Sequence, residues 1–136
     1  MNAFPWLIGR LIRKKSVWTR GEDAAARHMR KSGSRIVTRN LRMSMGEIDL
    51  VCEDPKTGAI IVVEVKARQR HARDTRRIDP EANITAAKKA KLRTLAKALA
   101  KREAYRDRPI RIDVIAVVFE EGSRNPIELR HYQSAV

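Results

Sequence analysis

Apolar residues recur along this chain at two different periods. Over residues 4–19, Phe4, Leu7, Ile8, Leu11 and Ile12 are spaced for a helix, interleaved with and followed by the cations Arg10, Arg13, Lys14 and Lys15. Residues 21–32 predict a second helix: Gly21, Glu22 and Asp23 open it, it runs through Ala24–Ala26 and Met29, and Gly33 stops it. The period then changes. Residues 35–41 predict a strand, and residues 47–53 alternate, with Ile48, Leu50 and Cys52 expected on one side. Asp54-Pro55-Lys56-Thr57-Gly58 is turn chemistry. Residues 60–67, IIVVEVKA, are apolar at nearly every position, which predicts a central strand covered on both faces. Residues 68–80 are expected to be a basic loop. Residues 84–105 predict a long helix with a stripe of Ile84, Leu92, Leu95, Ala96 and Leu99. Two more strands are expected at 110–119 and 127–132.

Hairpin strands followed by a helical crossover imply an α/β (α+β) domain, a mixed sheet with helices on its faces. Residues 1–20 are expected to be an amphipathic basic extension, and residues 21–136 the domain proper. No repeat or low-complexity tract interrupts this order.

A chain of 136 residues can bury a core without disulfides or a structural metal. What changes the picture is charge: 30 Lys+Arg against 16 Asp+Glu, net +14. Such a chain attracts polyanions, nucleic acid first. The single cysteine, Cys52, excludes an internal disulfide, fits a reducing cytoplasm and sits where a small core residue is expected. No apolar run reaches a membrane span, and the cations after residue 9 follow the apolar patch, unlike those of a secretory signal. His28, His71 and His131 lack zinc spacing, and there is no phosphate-cradling glycine loop or nucleophile elbow, so ATP hydrolysis and serine-based hydrolysis are unsupported.

The hairpin at 46–68, GEIDLVCEDPKTGAIIVVEVKAR, poses the chemical question. If Glu53 pairs with Ile60, then Val51 pairs with Val62 and Asp49 opposes Glu64. Directly opposed side chains share a face, and Glu64 and Lys66 share one by alternation. Asp49, Glu64 and Lys66 would therefore meet, while a slip of one residue would move Asp49 to the other face. Two carboxylates about 5 Å apart between apolar strands repel each other and lose hydration, which costs several kcal/mol if uncompensated. Lys66 balances one charge. A divalent cation would balance the other, and Mg²⁺ suits one or two carboxylates completed by water and phosphate oxygens. That arrangement can activate water against a phosphodiester, with Lys66 orienting the attacking water. A surface salt bridge across strands would use the same residue types, and Glu-x-Lys alone is a weak signal.

Asp49 followed by Glu64-Val65-Lys66 resembles the PD-(D/E)xK nuclease superfamily. The chain is more closely similar to the small bacterial UPF0102 (YraN-like) proteins. Gly21-Glu22 through Ala25-Ala26, Gly33, Ile36, Asn40 and Arg42, then Gly46-Glu47-Ile48-Asp49-Leu50, Val63–Lys66 and Arg68 carry the likeness. It continues through Pro80–Thr85, Lys88, Arg111–Ile115 and the closing His131–Val136. His28, Ser34, Ile112 and Val136 depart from it, as packing changes. The resemblance implies a restriction-endonuclease-like fold and a Mg²⁺- or Mn²⁺-dependent endonuclease acting on DNA, branched or single-stranded forms included. It implies Asp49 and Glu64 as metal ligands and Glu22 as a third acid serving the metal or its water. A helix-start acid favourable to the dipole is the other reading of Glu22. Glu47 is expected to be merely exposed. Asp113 either pairs with Arg111 or faces the same cleft, the former being preferred.

Nucleic-acid contacts are expected from Arg68, Arg70 and Arg73 in the basic loop and from Lys88 and Lys89 at the start of the long helix, where a helix N-terminus favours phosphate. The two tryptophans and two tyrosines are too scattered to argue for stacking. A homodimer would suit cutting of two strands, and a membrane surface is the disfavoured partner. The rival readings are a non-catalytic nucleic-acid binder with the same fold, and an adaptor acting through residues 4–19.

Overall fold

The computed structural model describes residues 15–74 and 79–136. Residues 4–14 of the expected helix at 4–19 fall outside the described residues, as do Arg76 and Arg77 of the basic loop, whereas Val17–Thr19 belong to the next helix. The elements run α1 (Val17–Lys31), β1 (Arg35–Met43), β2 (Gly46–Glu53), β3 (Ile60–Arg70), α2 (Ala86–Ala100), β4 (Ile110–Glu120) and β5 (Pro126–Tyr132), with short 3₁₀ turns at Pro80–Asn83 and Glu103–Tyr105. The five strands form one sheet in sequence order. β3 and β4 are parallel, joined through α2, and every other pair is antiparallel. This is the expected mixed sheet flanked by helices, an α+β architecture consistent with a restriction-endonuclease-like fold. No helix among the described residues is long and apolar enough to cross a membrane.

Among the described residues, each face of the sheet carries one α-helix. α1 buries Ala24, Ala25, Ala26 and Met29 against Leu50, Cys52, Ile61, Val63, Ile115, Val117 and Phe119. α2 buries Leu92, Leu95, Ala96 and Leu99 against Ile48, Val51, Ile60, Val62 and Ile112. Both central strands are thus covered twice, which is why 60–67 is nearly all apolar. Burial pushes the Cys52 thiol up to about 12, so it is an inert core group.

Four expectations need correction. α1 begins at Val17, earlier than the expected Gly21, because the Ser16 hydroxyl accepts the Thr19 N–H at 3.1 Å and caps it there. Glu22 therefore sits in the second turn and is not a helix-start acid. The long helix ends at Ala100 and starts at Ala86, capped by the Thr85 hydroxyl, which accepts the Lys88 N–H at 3.2 Å. β3 extends through Arg70, because β4 pairs with it to Arg70↔Glu120, so Arg68 and Arg70 stand on a strand instead of a loop. Last, Ile48 does not share a side with Leu50 and Cys52. It packs under α2 while they pack under α1. Asn40 has a left-handed φ of 50° and lies between the pairs Arg39↔Leu50 and Leu41↔Ile48. A residue in that conformation breaks pleat alternation, and the break falls opposite Asp49.

Candidate active site

The β2–β3 ladder matches the expected register from Glu53↔Ile60 to Leu50↔Val63 and stops there. The turn pair Asp54 and Ala59, where the Asp54 N–H donates to the Ala59 carbonyl at 2.9 Å, fixes which residues exchange ladder bonds. By that alternation Val65 would donate to Ile48. It donates instead to Asp49 Oδ2, at 2.8 Å. The two strands separate at this point, and a cleft of about 260 Å³ opens between them.

Asp49, Glu64, Lys66 and Glu22 all line this cleft. The four residues singled out from sequence converge on one place, from two strands and a helix. Glu64 is only 4% exposed. Lys66 Nζ lies 3.6 Å and Lys88 Nζ 3.3 Å from the same Glu64 oxygen, Oε1. Lys88 thus comes down from α2 onto the carboxylate. Glu22 reaches in from α1, with Arg39 at 3.9 Å behind it; Arg39 also binds Asp23 at 2.7 Å.

Burial, the neighbouring Glu64 charge and, further off, that of Glu22 push the Asp49 carboxyl up to about 7, against the opposing pull of the Val65 N–H. Both lysines lean on Glu64, so Asp49 holds its proton more tightly than a free carboxyl does. Among the described residues no three His, Cys, Asp or Glu side chains form a ready cage for a metal ion. A Mg²⁺ held by one or two carboxylates and otherwise by water and phosphate oxygens does not require such a cage. The donor set fits such an ion in kind, being hard carboxylate oxygens, although Lys66 and Lys88 already stand on Glu64 and Arg39 behind Glu22.

The remaining expected contacts are spread more widely. Arg68 pairs with Asp74 at 3.4 Å and Arg70 with Glu120 at 3.2 Å, beyond the cleft on β3. Arg73 is exposed in the turn that follows, and Lys89, half-buried on α2, does not line the cleft. Glu47 is exposed, as expected, yet it edges the cleft, 3.8 Å from Arg42. Asp113 is fully buried away from the cleft. It accepts from Arg111 Nε at 3.0 Å and from the Ser134 N–H at 3.0 Å, and it bonds His131 Nε2 at 2.8 Å. His131 in turn bonds His28 at 3.0 Å. This network ties β4, β5 and α1 together.

Sequence reasoning missed two cleft residues, Trp18 and Lys91. Both were within reach of helical periodicity: Trp18 is four residues before Glu22, and Lys91 three after Lys88. Backbone contact places them. A Cβ on Gly21 would stand 2.4 Å from the Ala67 Cβ, so only glycine lets α1 lie this close to β3. Gly46 has a φ of +151°, and its missing side chain leaves room for the Lys91 stem, with 3.0 Å between a would-be Cβ and Lys91 Cε.

A family model described as an uncharacterised protein family, UPF0102, matches residues 21–117. A UPF0102 protein of Renibacterium salmoninarum is 41% identical over 108 residues, covering 79% of this chain and 86% of the relative. One from Pelotomaculum thermopropionicum is 36% identical over 122 residues, covering 90% and 96%. Another from Pelobacter propionicus is 33% identical over 114 residues, covering 84% and 79%.

Proposed function

The chain belongs to the UPF0102 family, and we propose that it is a divalent-metal-dependent endonuclease of the PD-(D/E)xK type, acting on DNA. One observation carries this reading: Asp49, Glu64 and Lys66 open into one cleft at the point where β2 and β3 separate, with Glu22 beside them. Buried like charges are costly unless something uses them. Asp49 and Glu64 would hold Mg²⁺ or Mn²⁺, and Glu22 would hold it or its water. The metal supplies a Lewis acid and an activated water at neutral pH.

The chain's own residues do the rest. The Val65 N–H fixes one oxygen of Asp49, so the carboxylate has a defined orientation. Lys66 stands beside Glu64, where its ammonium can orient the attacking water and balance charge on the phosphate. Lys88 and Lys91 line the cleft from α2 and would receive the phosphate backbone. The net charge of +14 favours encounter with a polyanion.

A non-catalytic nucleic-acid binder is the second reading. It draws on Glu64, which already has two ammonium partners. Purified protein incubated with linear, nicked, branched and single-stranded DNA, plus RNA, in Mg²⁺ or Mn²⁺ decides between them. Cleavage of at least one form, lost in Lys66→Ala with unchanged circular dichroism, supports the nuclease. Binding with no cleavage of any substrate in either metal leaves the binder.

A further inference from the structure

Trp18 is 58% exposed, the most exposed of the large apolar side chains among the described residues. It lines the same cleft as Asp49 and Glu64. An isolated exposed apolar residue is ordinary. This one is set apart by what surrounds it. It lies one helical turn before Glu22, so both project from the same side of α1. Gly21, between them, lets that turn press against Ala67, the β3 residue next to Lys66. No described group accepts its indole N–H, so the ring is not committed to an internal bond. Across the cleft stand Lys88 and Lys91.

The dimensions select what the indole can meet. A cavity of about 260 Å³ falls just under the range of roughly 300–1,000 Å³ that engulfs a whole drug-sized ligand. It has room for a phosphate group and water, and an attached base must lie outside, along the rim. There the rim offers an aromatic face on one wall and ammonium groups on the other. A base in a duplex presents only its edges in the grooves, and its faces are covered by its neighbours. A base with a free face gains stacking energy on an indole regardless of its identity.

We propose that Trp18 is a stacking platform for an unpaired base adjacent to the phosphate held in the cleft, which makes single-stranded or locally unpaired nucleic acid the preferred substrate class. The proposal rests on the nuclease reading for the position of that phosphate. It goes beyond that reading by assigning a specificity-determining residue on α1.

The test uses the full chain with Trp6→Phe, which leaves Trp18 as the single indole of the two tryptophans. Titration with a thymidine decamer and with a duplex of equal length, in EDTA to prevent cleavage, follows tryptophan emission and affinity. The single strand should quench Trp18, and the duplex should not. Trp18→Ala should weaken single-strand binding by about 5- to 100-fold with duplex affinity nearly unchanged, and Trp18→Phe should restore most of the loss. Emission indifferent to the single strand, or an equal loss for both forms, overturns the proposal. Cleavage in Mg²⁺ or Mn²⁺ separates the two ideas. Quenching without cleavage of any substrate leaves the platform standing and removes the nuclease. Cleavage whose single-strand preference survives Trp18→Ala removes the platform alone.

Discussion

Asp49 Oδ2 accepts the Val65 N–H at 2.8 Å, taking the ladder bond that Ile48 would otherwise receive. One carboxylate thereby ends the β2–β3 pairing and faces the cleft this opens. Its proton equilibrium follows from the same position. Asp49 ionises near pH 4 in an unfolded chain and near 7 in the fold. Between those values the folded state keeps a proton that the unfolded state has lost, so stability of the metal-free protein falls as pH rises through that window. Asp49→Asn keeps an acceptor for Val65 and removes the charge. It should be more stable than the native chain at pH 8 and nearly equal to it at pH 4. Urea midpoints at the two pH values check this, and a native chain that gains stability from pH 4 to 7 relative to the variant contradicts it.

Gly21 is required by contact. Gly21→Ala would place a methyl 2.4 Å from the Ala67 Cβ, which the packed sheet can relieve only by moving α1 away. The expected cost is about 1–3 kcal/mol. Glu22 and Trp18 move with the helix, so the proposed nuclease activity should fall more than the loss of folded protein explains. Gly58→Ala, at a turn with nothing within 4 Å of a would-be Cβ, should lower stability through its positive φ and leave activity per folded molecule intact.

Lys88 and Lys91 line the cleft, whereas Lys101 caps the far end of α2. If the two cleft lysines touch phosphate, Lys91→Ala should reduce the slope of log affinity against log salt by about 1, and Lys101→Ala should leave it unchanged. Lys88→Ala should do the same as Lys91→Ala and also free Glu64 of one ammonium, raising affinity for Mn²⁺. Fluorescence anisotropy across a salt series, with calorimetric Mn²⁺ titration, gives both readouts.

Glu81 anchors the 3₁₀ turn before α2 to β5, with Arg130 Nε donating at 2.8 Å and the Tyr132 hydroxyl at 2.6 Å. The Arg130 bond holds the Glu81 carboxyl down at about 2. The unfolded state binds that proton first as pH falls, so this stability is complete above the unfolded value and disappears as pH drops from about 4.5 towards 2. Solvent screening limits it to about 1 kcal/mol. Glu81→Gln should lower the urea midpoint at pH 6 and converge with the native chain near pH 2.

The convergence of Glu22 with the strand pair was anticipated only through resemblance, since no periodicity links a residue of α1 to a hairpin. Arg68 and Arg70 show the opposite case. Their run of cations looked like loop, but a parallel neighbour, β4, extended the strand through them. Ile48 shows the limit of local pattern most plainly. Its alternation with Leu50 is unbroken in sequence, yet Ile48 packs under α2 while Leu50 packs under α1.

The sequence alone determined the two-faced central strands and the hairpin register from Glu53↔Ile60 to Leu50↔Val63, because turn chemistry and side-chain alternation act over a few residues. The tertiary structure decided which charges are compensated, how closely α1 approaches Ala67, and that Lys88, Lys91 and Trp18 wall the cleft. Those depend on contacts between elements distant in sequence, where missing side chains at Gly21 and Gly46 set distances that no local pattern encodes.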